Sequence, residues 1–232
     1  MARITRKELK TDKFALEIGH TVTLFEEHRK EIIRYGSAGL VVLLVVVGIL
    51  VYSSRQHAAR QQALAKAIDI EQSPVGAAAA GQPGFPTQDA KDQAALKAFT
   101  DLKNQYGSSA EGEIAEYYLG AIKSDQGKLL DAEKGFAEVA DHGDARYSSL
   151  AKLSLAQVYF AEGHADKGEA LLRELIKNPT VFVSKDQATM ALARLIGPKR
   201  PAEARKLLDP LRNTPGIVGQ LALQLEGELP AQ

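Results

Sequence analysis

The order of apolar and polar positions divides the chain into stretches of different character. From Tyr35 to Ser54 no residue is charged, and Gly39 to Val51 contains only aliphatic residues and glycine. A helix of those 20 residues is about 30 Å long, the thickness of a bilayer's hydrocarbon layer. Tyr35 and Tyr52 bracket it at the depths amphipathic aromatics favour. Arg34 and Arg55 stand ready to send their charges to the two interfaces. A buried core helix and a cleaved signal peptide are the alternatives. The first rarely tolerates so long an uncharged run, and the second has a far shorter leader than the 34 residues found here. The pattern predicts an uncleaved signal-anchor helix over 35–54, with no small-xxx-small pair to mark a dimer face.

After residue 107 the apolar positions change to a helical spacing that repeats every 36 residues. Ala132, Gly168 and Ala204 are small; Phe136, Leu172 and Leu208 are large and apolar; so are Val139, Leu175 and Leu211. Gly143, Pro179 and Pro215 fall at the breaks. Small–x3–large–x2–large places three side chains on one helical stripe. A second helix precedes each striped one, marked by Leu119-Gly120, Leu155-Ala156 and, with a one-residue slip, Leu192-Ala193. Gly127, Gly163 and Gly197 divide each pair. Ser108 with Glu111 and Ser184 with Gln187 are spaced to cap helix starts, and Pro201 and Pro215 suit a first helical position.

Upstream, Arg55–Glu71 and Asp89–Tyr106 predict one more pair, with Ala95, Phe99 and Leu102 on the same stripe. Between them lies an Ala-, Gly- and Pro-rich insertion over 72–88. It reads as a flexible loop, with Phe85 as its one candidate binding element. A last helix over 216–229 closes the stack as a cap.

Residues 1–34 form a charged arm. Thr5 with Glu8 and Thr23 with Glu26 fit capping boxes; Phe14 and Ile18, then Phe25, Ile32 and Ile33, mark apolar faces. The arm is either a contact for a membrane partner or anionic lipid, or a solvated topogenic segment. Lys and Arg near the span tie: Arg29, Lys30 and Arg34 before it, Arg55, Arg60 and Lys66 after. The short arm adds five more basic residues, so it is expected inside, with the large domain outside.

Two helices per 36 residues, stacked in series, form a solenoid. The fold class is therefore all-α: an N-terminal arm and a single transmembrane helix, then a helical-hairpin solenoid over 55–232, clearest over 109–215. Leu-Gly or Leu-Ala in the first helix and Ala-x3-Phe/Leu-x2-aliphatic in the second resemble tetratricopeptide repeats, in degenerate form. The usual first-helix tryptophan is absent, and only Tyr159 fills the usual tyrosine place. That resemblance implies a groove lined by first helices. Its candidate residues are Ile114, Tyr117, Ala121 and Ser124, then Leu150, Leu153, Gln157 and Phe160, then Gln187, Met190 and Arg194. The set is mostly apolar and lacks the Lys/Asn pattern with which such repeats clamp a C-terminal carboxylate. It suits a helix or an unfolded segment, or else packs against the cap helix or the insertion.

Composition narrows the function. The 29 basic and 29 acidic residues cancel. The sum hides an arm with 8 basic and 6 acidic residues and a region after 54 with 21 and 23. Neither is the basic footprint of a nucleic-acid binder. No cysteine is present, which excludes disulfides, thiolate zinc sites and cysteine nucleophiles. The five histidines are scattered, with no i, i+4 pair. Asp141, His142 and Asp144 read as turn and capping chemistry. No Walker loop, G-x-G-x-x-G, G-x-S-x-G or H-E-x-x-H occurs. An enzyme, a cofactor and a small-molecule substrate are not expected.

A charged arm, one span, a post-membrane helix and degenerate repeats together resemble the ancillary SecYEG translocon subunit family, whose repeat region is related to that of the cell-division coordinator. The quoted motifs are Ala95-x3-Phe99 through Tyr106-Gly107 and Ala115-x3-Leu119-Gly120. The resemblance implies a bacterial inner-membrane anchor with a cytoplasmic N-terminus and a periplasmic domain. It also implies partners among the Sec translocon, periplasmic chaperones and exported clients. The expectation is a non-enzymatic scaffold or holdase; the alternative is an envelope-assembly or cell-division adaptor that binds folded cell-wall machinery.

Overall fold

The structure, a computed structural model, describes residues 29–76 and 84–230. The capping boxes and the Phe14, Ile18 and Phe25 positions of the arm lie outside the described residues, as do the side chains of Ile32 and Ile33. Nine helices are present among the described residues: α1 (Arg29–Gln72), α2 (Gln88–Tyr106), α3 (Ala110–Asp125), α4 (Leu129–His142), α5 (Ala145–Ala161), α6 (Ala165–Lys177), α7 (Lys185–Ile196), α8 (Pro201–Arg212) and α9 (Ile217–Glu228). The described residues contain no strand, only one isolated bridge between Val75 and Phe85. That bridge leaves Phe85 half-buried.

The chain divides into two compact units, 1–58 and 59–232. In the first unit, the apolar part of α1 is long and apolar enough to cross a membrane, with a mean hydropathy of 2.4. None of its most apolar window is buried within the protein. Its aliphatic side chains from Leu40 to Val51 are all exposed among the described residues.

The second unit is built from hairpins, and its helix starts show how the sequence sets them. Thr87, Ser109, Asp144 and Ser184 are N-caps for α2, α3, α5 and α7, each accepting from backbone N–H groups of the first turn. The cap of α3 is thus Ser109, not Ser108, because Ser109 Oγ sits 3.2 Å from the Gly112 amide. Pro201 opens α8 as expected. Pro215 does not open a helix: it precedes Gly216, whose φ of 88° makes the turn into α9.

The turns inside the first two hairpins share one geometry. Gly127 and Gly163 have φ of 72° and 84°, the left-handed region where a side chain would be strained. Around each, the last helical carbonyls accept from the following amides, Lys128 N to Lys123 O at 2.9 Å and His164 N to Tyr159 O at 2.7 Å. The third turn differs. Gly197 stays right-handed, and four residues rather than three separate the helices before Pro201. The slip in the sequence repeat arises earlier: Leu192 lies 17 residues after Leu175 where Leu155 lies 16 after Val139, so the added residue falls ahead of Leu192, where the longer loop 178–184 joins α6 to α7.

The predicted stripe is the core. Ala132, Phe136 and Val139; Gly168, Leu172 and Leu175; and Ala204, Leu208 and Leu211 are all buried, and so are Ala95, Phe99 and Leu102 of α2. Small residues set the approach distances. A Cβ at Gly168 would stand 2.6 Å from the Phe160 ring and 2.7 Å from the Ala156 carbonyl oxygen. One at Gly120 would meet the Phe136 ring at 3.0 Å.

Charged groups tie neighbouring helices across the outside. Lys103 of α2 reaches Glu116 of α3 at 2.6 Å and Glu138 of α4 at 3.1 Å. Arg200, just ahead of α8, and Arg173 of α6 both pair with Glu169 of α6, and both also pair with Glu203 of α8. The Arg200 guanidinium, then that of Arg173, hold the Glu169 carboxyl below its ordinary range against the opposing effect of burial. A carboxyl depressed in the folded state stabilises at pH above its ordinary value. It loses that contribution as pH falls through the depressed value.

Two predictions follow from this packing. Gly168→Ala should destabilise the repeat domain, because a clash costing about 1–3 kcal/mol outweighs a helix-propensity gain of about 1 kcal/mol. Gly227→Ala in α9 has nothing within 4 Å of the new Cβ and should be neutral or stabilising. Urea unfolding followed by circular dichroism orders the three proteins. Likewise, Glu169→Gln should lower stability by about 1 kcal/mol at neutral pH, and the deficit should shrink as pH falls into the carboxylate range, read from urea midpoints across pH.

Candidate protein-binding face

Packing in series leaves the first helix of each hairpin with two kinds of neighbour. α3, α5 and α7 each touch the second helices on either side of them in sequence, and α3, α5, α7 and α9 also touch one another in succession. They therefore share one face, and the side chains on it fall into two zones.

The first zone is aromatic and centres on Tyr117 of α3. Its ring lies 5.7 Å from that of Tyr118, 5.6 Å from Phe136 and 5.9 Å from Tyr147 of α5. Its hydroxyl is 3.5 Å from the Ser154 hydroxyl. Tyr118 stacks on the buried Phe99 at 4.8 Å, and Tyr147 meets Phe182 edge-on at 5.5 Å. The Arg146 guanidinium lies over Phe182, while its own partner is Asp144, the cap of α5. Burial pushes the phenols of Tyr118 and Tyr147 up, so both stay neutral well into the alkaline range. Phe182 is held out by its loop: Thr180 donates to the Val183 carbonyl at 2.9 Å, its hydroxyl accepts from the Val183 amide at 3.1 Å, and Val183 is buried.

The second zone is an open cavity of about 480 Å³ between α5, α7 and α9. Leu153 and Gln157 line it from α5, Gln187, Met190, Ala191, Arg194 and Leu195 from α7, and Leu221 and Leu225 from α9. Its floor is apolar, and among the described residues no carboxylate lines it and Arg194 is its one charged lining residue. The size is that of ordinary ligand and side-chain pockets.

The expected groove residues are thus divided. Leu153, Gln157, Met190 and Arg194, with Gln187, come together in the cavity. Tyr117 belongs to the aromatic zone. Ala121 packs beside it, against the cluster of Phe136 and Leu155. Ile114 and Ser124 are half-buried on α3. Leu150 packs on the core around Leu172 and Leu192. The Phe160 ring lies against Gly168 inside its own hairpin, where it sets helix spacing. The cap helix does not fill the cavity; its Leu221 and Leu225 build one wall.

Sequence reasoning missed Leu221, Tyr118, Tyr147 and Phe182. Tyr147 stands three residues after the Asp144 cap, where the three- and four-residue spacings to Leu150 and Ala151 were the available signal. Phe182 sits in a loop between repeats and gave no periodic signal.

Elsewhere, Lys103, Glu113, Glu116, Glu138 and His142 line a polar seam between α2, α3 and α4. The His142 ring nitrogen is 3.2 Å from the Glu138 carbonyl oxygen, and Asp144 accepts from the Arg146 and Tyr147 amides. These contacts account for His142 and Asp144 of that loop. No group of three metal-ligating side chains occurs among the described residues.

No curated protein and no solved structure matches the chain significantly. The sequence profile of the tetratricopeptide repeat-like domain matches residues 30–196, from the apolar helix through the end of α7. Domains of this kind are protein-interaction modules and not catalytic folds. With its hairpins stacked in series, its small–large stripe buried and that profile spanning well over half its length, the chain belongs to the tetratricopeptide repeat-like domain family.

Proposed function

We propose that the protein is a membrane-tethered, non-enzymatic scaffold or holdase that receives segments of newly exported proteins beside the Sec translocon. The open apolar cavity on the shared face of α5, α7 and α9 is the observation that carries this reading. An apolar floor with a methionine adapts to varied side chains, as a receiver of unfolded segments must. The uncovered aliphatic surface of α1 supports the tether, since so large an apolar face needs lipid around it. In this arrangement 1–34 is a cytoplasmic arm, 35–54 the span and 55–232 a periplasmic domain. Tethering raises the effective concentration of the receiving face at the exit of the channel. Resemblance to the ancillary translocon subunit family supports the choice of partner.

Two measurements test the reading. A periplasm-active reporter fused after Gln232 should be active; an inactive one reverses the orientation. Photo-crosslinkers at Gln157 and Gln187, used in native membranes, should capture translocon components or export substrates. Leu221→Ser should reduce that capture several-fold with little change in the unfolding midpoint, since Leu221 is 44% exposed. Capture of cell-division or cell-wall proteins instead identifies the adaptor reading and removes this one.

A further inference from the structure

We infer that the cavity selects apolar segments that carry a carboxylate, and that Arg194 is the residue that reads it. The inference rests on the cavity being the receiving site and adds a rule for what it receives.

The first support is an unpaired charge. Among the described residues, Arg146, Arg173, Arg200 and Arg212 each form an ion pair with a carboxylate of the chain. Arg205 donates to the Pro230 carbonyl at 2.7 Å. Arg194 forms no ion pair with any described residue and is exposed at the cavity edge. Its place in the last turn of α7 complements the helix dipole, which accounts for a cation there but not for its aim into an apolar cavity. The second support is the lining itself. Eight of its nine residues are uncharged, with no Asp or Glu among them, so the site's formal charge is that of Arg194 alone. Beside an apolar wall a guanidinium binds a carboxylate more strongly than in open water, through two parallel N–H donors. The third support is the pair of exposed amides. Gln157 and Gln187 offer donors and acceptors to a peptide backbone, which an acyl chain could not use. The occupant is therefore a polypeptide segment with aliphatic side chains for Leu153, Met190 and Leu221 and an Asp, Glu or C-terminal carboxylate for Arg194.

The test uses the full chain in nanodiscs of zwitterionic lipid and fluorescently labelled 12-residue leucine–alanine peptides. Three peptides differ at one central position, glutamate, glutamine or lysine, and a fourth is uncharged except for a free C-terminus. Binding is read by anisotropy. The glutamate peptide should bind about tenfold tighter than the glutamine peptide. Arg194→Gln should abolish that difference, read as the ratio of the two peptides' affinities for the variant. Arg194→Lys should keep part of it, and added salt should shrink it. Whether the free C-terminus substitutes for glutamate tells the two carboxylate sources apart. Equal binding of glutamate and glutamine peptides by the unmodified protein overturns the inference but leaves the receiving site standing. So does an Arg194→Gln variant that weakens both alike. No binding of any peptide removes both readings. Displacement of the glutamate peptide by palmitate at micromolar concentration, with no such effect from decanol, would mark an acyl-chain site and overturn the polypeptide assignment.

Discussion

The close approach of two helices within each hairpin is the constraint on which the repeat domain depends. It is set by one small residue on the second helix, with two large ones following at the fourth and seventh positions. At Gly168 the fit is close: the Phe160 ring and the Ala156 carbonyl occupy the space a Cβ would need. With helices that close, the large members of the stripe reach into the next hairpin as well as their own, so Leu172 and Leu175 join a core that extends to Leu208 and Leu225. The same few side chains thereby hold each hairpin shut and fasten it to its neighbour, which is what allows a stack to be built from short units.

That economy decides where function can reside. Second helices spend their apolar stripes on the core and their polar faces on bridges such as Lys103 to Glu138 and Arg173 to Glu203. First helices touch one another along a narrower line, and what lies outside that line is free for a partner. The aromatic zone around Tyr117 and the cavity beside Arg194 both lie there. They differ in kind: the first is a set of rings already in contact with one another, the second an empty space with a charge at its edge.

Much of this was legible in the sequence because it depends on periodic burial. The stripe, the extra pair with Ala95 and Phe99, the dividing glycines and the bilayer-length run follow from spacing and charge alone. What was not legible depends on a residue's orientation within a turn of helix. Ser108 and Ser109 are equivalent in composition, and only the chain's path decides which hydroxyl faces Gly112. Pro215 fits a helix start as well as Pro201 does, but Gly216 places the turn one residue later. Phe160 falls at a groove position by resemblance, yet Gly168 opposite it leaves a hollow that its ring fills. Leu221 was assigned to a closing cap, because a sequence pattern does not show that a terminal helix covers its neighbours only in part.

The position of α9 has a consequence for how the cavity behaves. Interior helices are clasped from both sides, whereas among the described helices α9 contacts only α7 and α8. It is fastened by the Arg212 to Glu226 pair at 2.9 Å and by Leu229, whose side chain lies against Gly197. An element with fewer packing partners opens at lower free energy. The wall that carries Leu221 has fewer neighbouring helices than the walls on α5 and α7, so it yields before them. A bulky occupant is met by outward displacement of one helix, with no rearrangement of the hairpins beneath it.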